Sequence, residues 1–206
     1  MAALAGFTDA LGFLVVGRFF VSFMSGNSTL FAVGIIHNPL KLVAATPLAV
    51  ILLFVIGVML GRTIRHFNSA RPSASVLFFM AACLTIAAAA AVAQMTIIAV
   101  SMMAIAMGAA NNVFVREGEV SIGVTYMTGT LVKFGQRLAG KLLGEPDNQW
   151  RPYLRLWLGL LSGASLGAAA HAWQGQYAIW LAAIFCIILA IAALKHDHIN
   201  LNIDLD

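Results

Sequence analysis

Two short stretches of this chain carry residue types that could bind a polar solute inside an apolar protein. Ser22, Ser25, Gly26, Asn27 and Thr29 lie in the first, and Thr125, Thr128, Gly129 and Thr130 in the second. Hydroxyl and amide side chains around a glycine suit a break in a helix, where backbone N–H groups freed from intrahelical bonding can hold an anion or carboxylate. The plainer use of the same residues is structural, since Ser and Thr bond back to helix carbonyls and glycine allows tight packing. Upstream of each stretch stands a further polar group, Asp9 before the first and Asn111 with Asn112 before the second. An acid at membrane depth is costly, so Asp9 is expected to face a polar cavity or a counter-charge and to serve proton or cation coupling or solute recognition. If its helix starts at the interface, it is instead hydrated or bonded to a neighbouring backbone. Arg18 and Arg116 are candidate charge partners for Asp9 or an anionic ligand, with snorkelling to a headgroup as the alternative.

The elements that hold these residues follow from composition. Of 206 residues, 61% are hydrophobic and 10% charged, and mean hydropathy is +0.92. Soluble domains carry about 25% charged residues, so this chain lacks the polar surface to cover itself in water. With 18 Gly, 5 Pro and 2 Cys it is no collagen-like, disordered or disulfide-built chain. Long uninterrupted apolar runs exclude the alternating strands of a membrane barrel, leaving an all-α polytopic membrane protein.

Crossing about 30 Å of hydrocarbon takes about 20 apolar residues. Residues 42–61, 75–94, 95–115, 156–173 and 177–194 each approach that length without Lys, Arg, Asp or Glu. The stretch 2–36 is interrupted by Asp9, Arg18 and the run Ser25 to Thr29, and reads as one broken or re-entrant element with a single net crossing, for six in all. Ten of the twelve basic residues then fall on one side, which the positive-inside rule makes cytoplasmic together with both termini. The net charge of +4 thus reflects topology and anionic lipid, and no aromatic residues are interleaved to stack nucleic-acid bases. No secretory leader is expected, since the first ten residues include Asp9 and no basic cluster.

The chain also matches itself. Residues 21–27 realign with 124–130 at an offset of 103, Gly6 with Gly108 at 102, Gly57 and Gly61 with Gly163 and Gly167 at 106, and Cys83 with Cys186 at 103. A duplication follows, with repeat one at about 1–94, repeat two at about 95–195 and a short polar cytoplasmic tail at 196–206, all within one membrane domain. Three crossings per repeat is an odd number, so the second repeat must sit inverted, an arrangement that places binding sites near the midplane between broken helices.

Other residues suit supporting roles. Lys133, Arg137 and Lys141 recur every four residues and give a helix over about 131–143 one basic face, fit for anionic lipid at the interface. Gly57/Gly61 and Gly159/Gly163/Gly167 form stripes for close helix approach, within the chain or across a homodimer. Cys83 and Cys186 read as buried small apolar residues, and the His196-Asp197-His198 run lacks further ligands for a metal. No nucleophile–base pair or phosphate-binding loop is visible, so neither an enzyme nor a cofactor is expected.

The blocks Gly6-Phe7-Thr8-Asp9, residues 20–27, Gly108 to Asn112 and residues 125–131 resemble the signatures of the YoaK-like family, bacterial inner-membrane proteins classed as a domain of unknown function. This chain has Ser25 where the family typically shows Thr. The resemblance implies an integral membrane fold of about six helices and a bacterial plasma-membrane location, and it brings no substrate. From the residues themselves, the leading expectation is a small secondary transporter for a small polar or anionic solute with a coupling ion. The alternative is a non-transporting scaffold or lipid- and partner-sensing module.

Overall fold

The computed structural model describes residues 1–17, 19–37, 45–116, 119–120, 125–145 and 149–203. The described residues form eight α-helices in the order α1 (Ala2–Val16), α2 (Met24–His37), α3 (Thr46–Phe67), α4 (Pro72–Val92), α5 (Thr96–Ala110), α6 (Met127–Leu142), α7 (Arg151–Gln174) and α8 (Ile179–Ile203). Between α5 and α6 a two-residue antiparallel pair joins Val115–Arg116 to Glu119–Val120. The helix boundaries follow local chemistry. Pro47, Pro72 and Pro152 sit in first turns, where the missing N–H is not needed. Gly17 ends α1 in the left-handed conformation (φ +78°), and Gly175 (φ +59°) turns α7 into a short 3-10 segment before α8.

Helices α3 and α4 and the stretch Arg151–Lys195, which holds α7 and most of α8, are long and apolar enough to cross a bilayer. Only 28% of the apolar window of α3 and 33% of that of Arg151–Lys195 is buried inside the protein. The outward surface is accordingly rich in Leu52, Met59, Ile97, Leu166 and Ile188, side chains that a hydrocarbon solvent accommodates and water does not. Apart from the short strand pair, the regular structure of the described residues is helical, as expected of a helical integral membrane protein.

Helices α1 and α5 have 15 residues each. At 1.5 Å per residue that is about 22 Å, short of the hydrocarbon core. The expected span 95–115 is thus corrected: its helix stops at Ala110, because Asn111 and Asn112 turn the chain there. The amphipathic helix expected at 131–143 starts earlier, at Met127. Helix α8 continues to Ile203, into the expected polar tail.

Helix α1 packs mainly on α7, α3 on α5, and α4 between α5 and α8. Leu77, Met80 and Leu84 of α4, Met103 and Met107 of α5, and Ile179 and Cys186 of α8 share this core. Both cysteines are free and buried, and the Cys186 thiol donates to the Leu77 carbonyl (3.5 Å). The glycine stripes permit two close helix approaches. A Cβ on Gly6 would overlap the Leu160 carbonyl, one on Gly163 the Ala3 carbonyl, and one on Gly167 the Phe7 backbone. Between α3 and α5, Gly108 meets the Phe54 carbonyl, Gly57 the Ile105 carbonyl, and Gly61 the Ala109 backbone. Each contact of the first set reappears in the second at the offsets found in the sequence, 102 for one partner and 106 for the other. Gly57, Gly61, Gly163 and Gly167 are therefore occupied by contacts inside one chain.

Candidate functional site

The first break, between α1 and α2, is held from both sides. Asp9 Oδ1, on α1, accepts the backbone N–H groups of Val21 and Ser22, each at 2.8 Å. Asn27, on α2, pairs with Phe20 as another peptide would. Its Oδ1 accepts the Phe20 N–H (3.0 Å), and its Nδ2 donates to the Phe20 carbonyl (2.6 Å). A carboxamide carries the same donor and acceptor as a backbone unit, so the fully buried Asn27 stands in for a neighbouring strand. Three phenylalanines close over the break, Phe13–Phe20 and Phe20–Phe23 both with ring centroids 5.3 Å apart. Gly26 lies under the Phe23 and Phe20 rings, where any Cβ would collide.

The second break is built differently. Asn111, counterpart of Asp9, turns Nδ2 to the Met107 (3.3 Å) and Gly108 (3.4 Å) carbonyls at the end of its own helix and accepts the Thr125 hydroxyl at Oδ1 (3.1 Å). Asn112 reaches out of the break and donates to the Val58 carbonyl of α3 (3.0 Å). Arg65 Nη1 donates to the carbonyls of Asn112 (3.2 Å) and Val113 (3.3 Å), and Ser73 Oγ to that of Val113 (3.1 Å). A cation at those carbonyls matches the negative end of the α5 dipole. Sequence reading gave Arg65 and Ser73 no role at the site; a basic residue near one helix end and a hydroxyl at the next helix start were the available signals.

The two motifs meet. Residues 22–25 and 125–129, with Phe54 of α3, line one cleft of about 350 Å³. Since α2 begins at Met24 and α6 at Met127, the cleft receives two helix N-termini, whose first-turn N–H groups have no intrahelical acceptor. No side chain caps α6. Among the described residues the hydroxyls of Ser25 and Thr128 make no hydrogen bond, and both side chains are exposed. Helix dipoles, N–H donors and hydroxyls suit an electronegative solute.

Of the residues expected at a solute site, Ser22, Ser25, Thr125, Thr128 and Gly129 line this cleft. Asp9, Gly26, Asn27, Thr29, Asn111, Asn112 and Thr130 do not. The amides and the carboxylate hold backbone as described, Thr29 donates to Ser25 (3.2 Å) and Thr130 to Tyr126 (3.1 Å), each within its own helix. The two motif glycines could serve positive φ or a close approach, and neither has positive φ. Both are ordinary first-turn helical residues, Gly26 glycine for lack of space and Gly129 facing open space.

Asp9 instead borders a groove of about 490 Å³ between α1 and α7, on the other side of the break. Arg18 and the side chain of Arg116 lie outside the described residues. Lys133, Arg137 and Lys141 lie exposed along α6, and the Lys141 ammonium and Arg151 guanidinium flank the Trp150 ring at 5.6 and 5.7 Å. Among the described residues no three His, Cys, Asp or Glu side chains cluster as metal ligands.

A family model described as "Protein of unknown function (DUF1275)" matches residues 1–192. The chain is also 35% identical over 195 residues to a UPF0700 transmembrane protein of Rhizobium meliloti, covering 93% of this chain and 82% of that one. No solved structure matches. With the broken first helices, the glycine-paired bundle and a match over nearly its whole length, the chain belongs to the DUF1275 family of membrane proteins of unknown function.

Proposed function

We propose that this protein is a small secondary transporter for a small polar or singly charged anionic solute bound in the cleft between α2 and α6. One observation carries the reading: two motifs a hundred residues apart in sequence line a single cleft with free hydroxyls and two helix N-termini. A cleft of about 350 Å³ lies at the small end of ligand sites. The equivalent glycine contacts of α1–α7 and α3–α5 support a duplicated fold, read as two inverted repeats that rock about the cleft. The protein sits in the bacterial inner membrane with both termini cytoplasmic, and no catalytic pair lines the cleft. The exposed basic face of α6 suits anionic headgroups, and it is the one observation that favours the lipid- or partner-sensing alternative. Neutralising Lys133, Arg137 and Lys141 would separate the two readings, abolishing lipid association while leaving flux intact if transport is the function.

Gly129→Leu is the direct test, because its side chain enters open space and not the core. In liposomes loaded with a panel of monovalent anions and small polar solutes, the wild type is expected to pass at least one species. Gly129→Leu should reduce that flux at least tenfold with unchanged thermal stability. A wild-type protein that passes nothing above protein-free vesicles ends this reading.

A further inference from the structure

We propose that Asp9 is a proton-binding site and that its protonation state sets the geometry of the cleft, an inference that rests, for its second part, on the cleft being the solute site. The segment 20–23 has two sides. On one, the Val21 and Ser22 N–H groups bond to Asp9 Oδ1. On the other, Ser22 and Phe23 form part of the cleft wall. A change in how strongly Asp9 holds those two peptides is thus delivered to the cleft without an intermediary. Two influences oppose each other at this carboxyl: paired N–H donors favour the negative oxygen, and the apolar walls of Phe13, Leu14, Phe20, Leu160 and Ala164 penalise it. Adding one proton from water makes the oxygen a weaker acceptor and loosens the segment. Losing it restores both bonds.

No other described charge competes. The elements packed on α1 are α7, α8, α5 and the 3-10 turn. Their described titratable side chains are Arg151, Tyr153, Arg155 and His171 on α7, Cys186 and Lys195 on α8, and Tyr177 in the turn, and none borders the groove. Ser165, which does, is committed to the Leu161 carbonyl (2.9 Å). Arg18 lies outside the described residues. In the other half the switch is missing, because Asn111 does not titrate and its amide donates to carbonyls. A proton is therefore read by one half only. The groove also reaches the protein surface, with Phe13 38% and Leu14 43% exposed, so an apolar reagent can enter from the bilayer.

Dicyclohexylcarbodiimide tests the first part on the full chain in liposomes. The protonated carboxyl adds across its C=N bond, and the O-acylisourea rearranges to a stable N-acylurea with no further reactant. Mass spectrometry of the digested protein is expected to find the adduct on Asp9, in a yield that falls as pH rises, retained in Asp9→Glu and lost in Asp9→Asn. For the second part, maleimide labelling of Ser25→Cys is measured against Leu142→Cys, an 81% exposed position on α6 that normalises for thiolate content. The native cysteines are buried. The Ser25→Cys to Leu142→Cys rate ratio is expected to change severalfold over the pH range in which the adduct appears and to become independent of pH with Asp9→Asn. An adduct on Glu145 with none on Asp9 at any pH overturns the proton site. An adduct on Asp9 with a constant ratio overturns its link to the cleft. If both results hold and no solute is passed, the proton switch stands and the transport reading alone falls.

Discussion

The two breaks occupy equivalent sequence positions and are stabilised in opposite ways. In the first, side chains before and after the break turn inward. Asp9 and Asn27 together take three N–H groups and a carbonyl from Phe20, Val21 and Ser22. In the second, Asn111 turns back on its own helix while Asn112, Arg65 and Ser73 fasten the end of α5 to α3 and α4. One relation survives: position 9 reaches Ser22 and position 111 reaches Thr125, its counterpart. A broken helix in lipid thus needs a polar side chain at that place to satisfy the freed backbone, and the choice of carboxylate or amide decides whether the break responds to a proton.

That contrast can be broken experimentally, and the largest effect is expected at Asp9. Asp9→Ala leaves two N–H groups without an acceptor and should cost about 2–6 kcal/mol in detergent-solubilised unfolding. Asn27→Ala orphans both polar groups of Phe20, for about 2–4 kcal/mol, whereas Thr130→Val at the equivalent position removes only a bond within one helix turn and should cost under about 1 kcal/mol. Equal losses at 27 and 130 would show the breaks to be held alike. Asn111→Asp sets a carboxylate against the Met107 and Gly108 carbonyls, so it is expected to destabilise by about 1–3 kcal/mol although it makes the second half resemble the first. The smallest contrast is at the glycines. Gly26→Ala strikes the Phe23 ring and should lower stability by about 1–3 kcal/mol, while Gly129→Ala fills open space within a helix and should raise it by up to about 1 kcal/mol.

Much of this architecture was legible in the residues. Apolar runs located α3, α4, α7 and α8 because length and hydropathy are all a spanning helix requires. The stripes Gly57/Gly61 and Gly163/Gly167 announced close packing but could not name Ile105, Ala109, Ala3 and Phe7, since partners are fixed only when the helices assemble. The early end of α5 was missed because two asparagines barely lower the hydropathy of a long apolar run, although a consecutive amide pair there was the available signal. Motif residues were recognised as polar and paired, yet their division was not visible. Ser25 and Thr128 are exposed in the cleft while Asn27 is buried against Phe20, and the sequence does not encode which face of a first helical turn the break covers. For Asp9 the plain alternative, a bond to neighbouring backbone, is the geometry found.

If both breaks build one solute cleft, a cross-link across it should block transport. Ser25→Cys and Thr128→Cys, in liposomes, would be joined by a short bis-thiol-reactive reagent, with solute flux recorded before and after. A protease site in the turn at residues 68–71 reports the link by keeping the two fragments together. The fragments should stay joined and flux should stop. Cysteines that each react with a monofunctional reagent but never link, or a link that leaves flux unchanged, would contradict it.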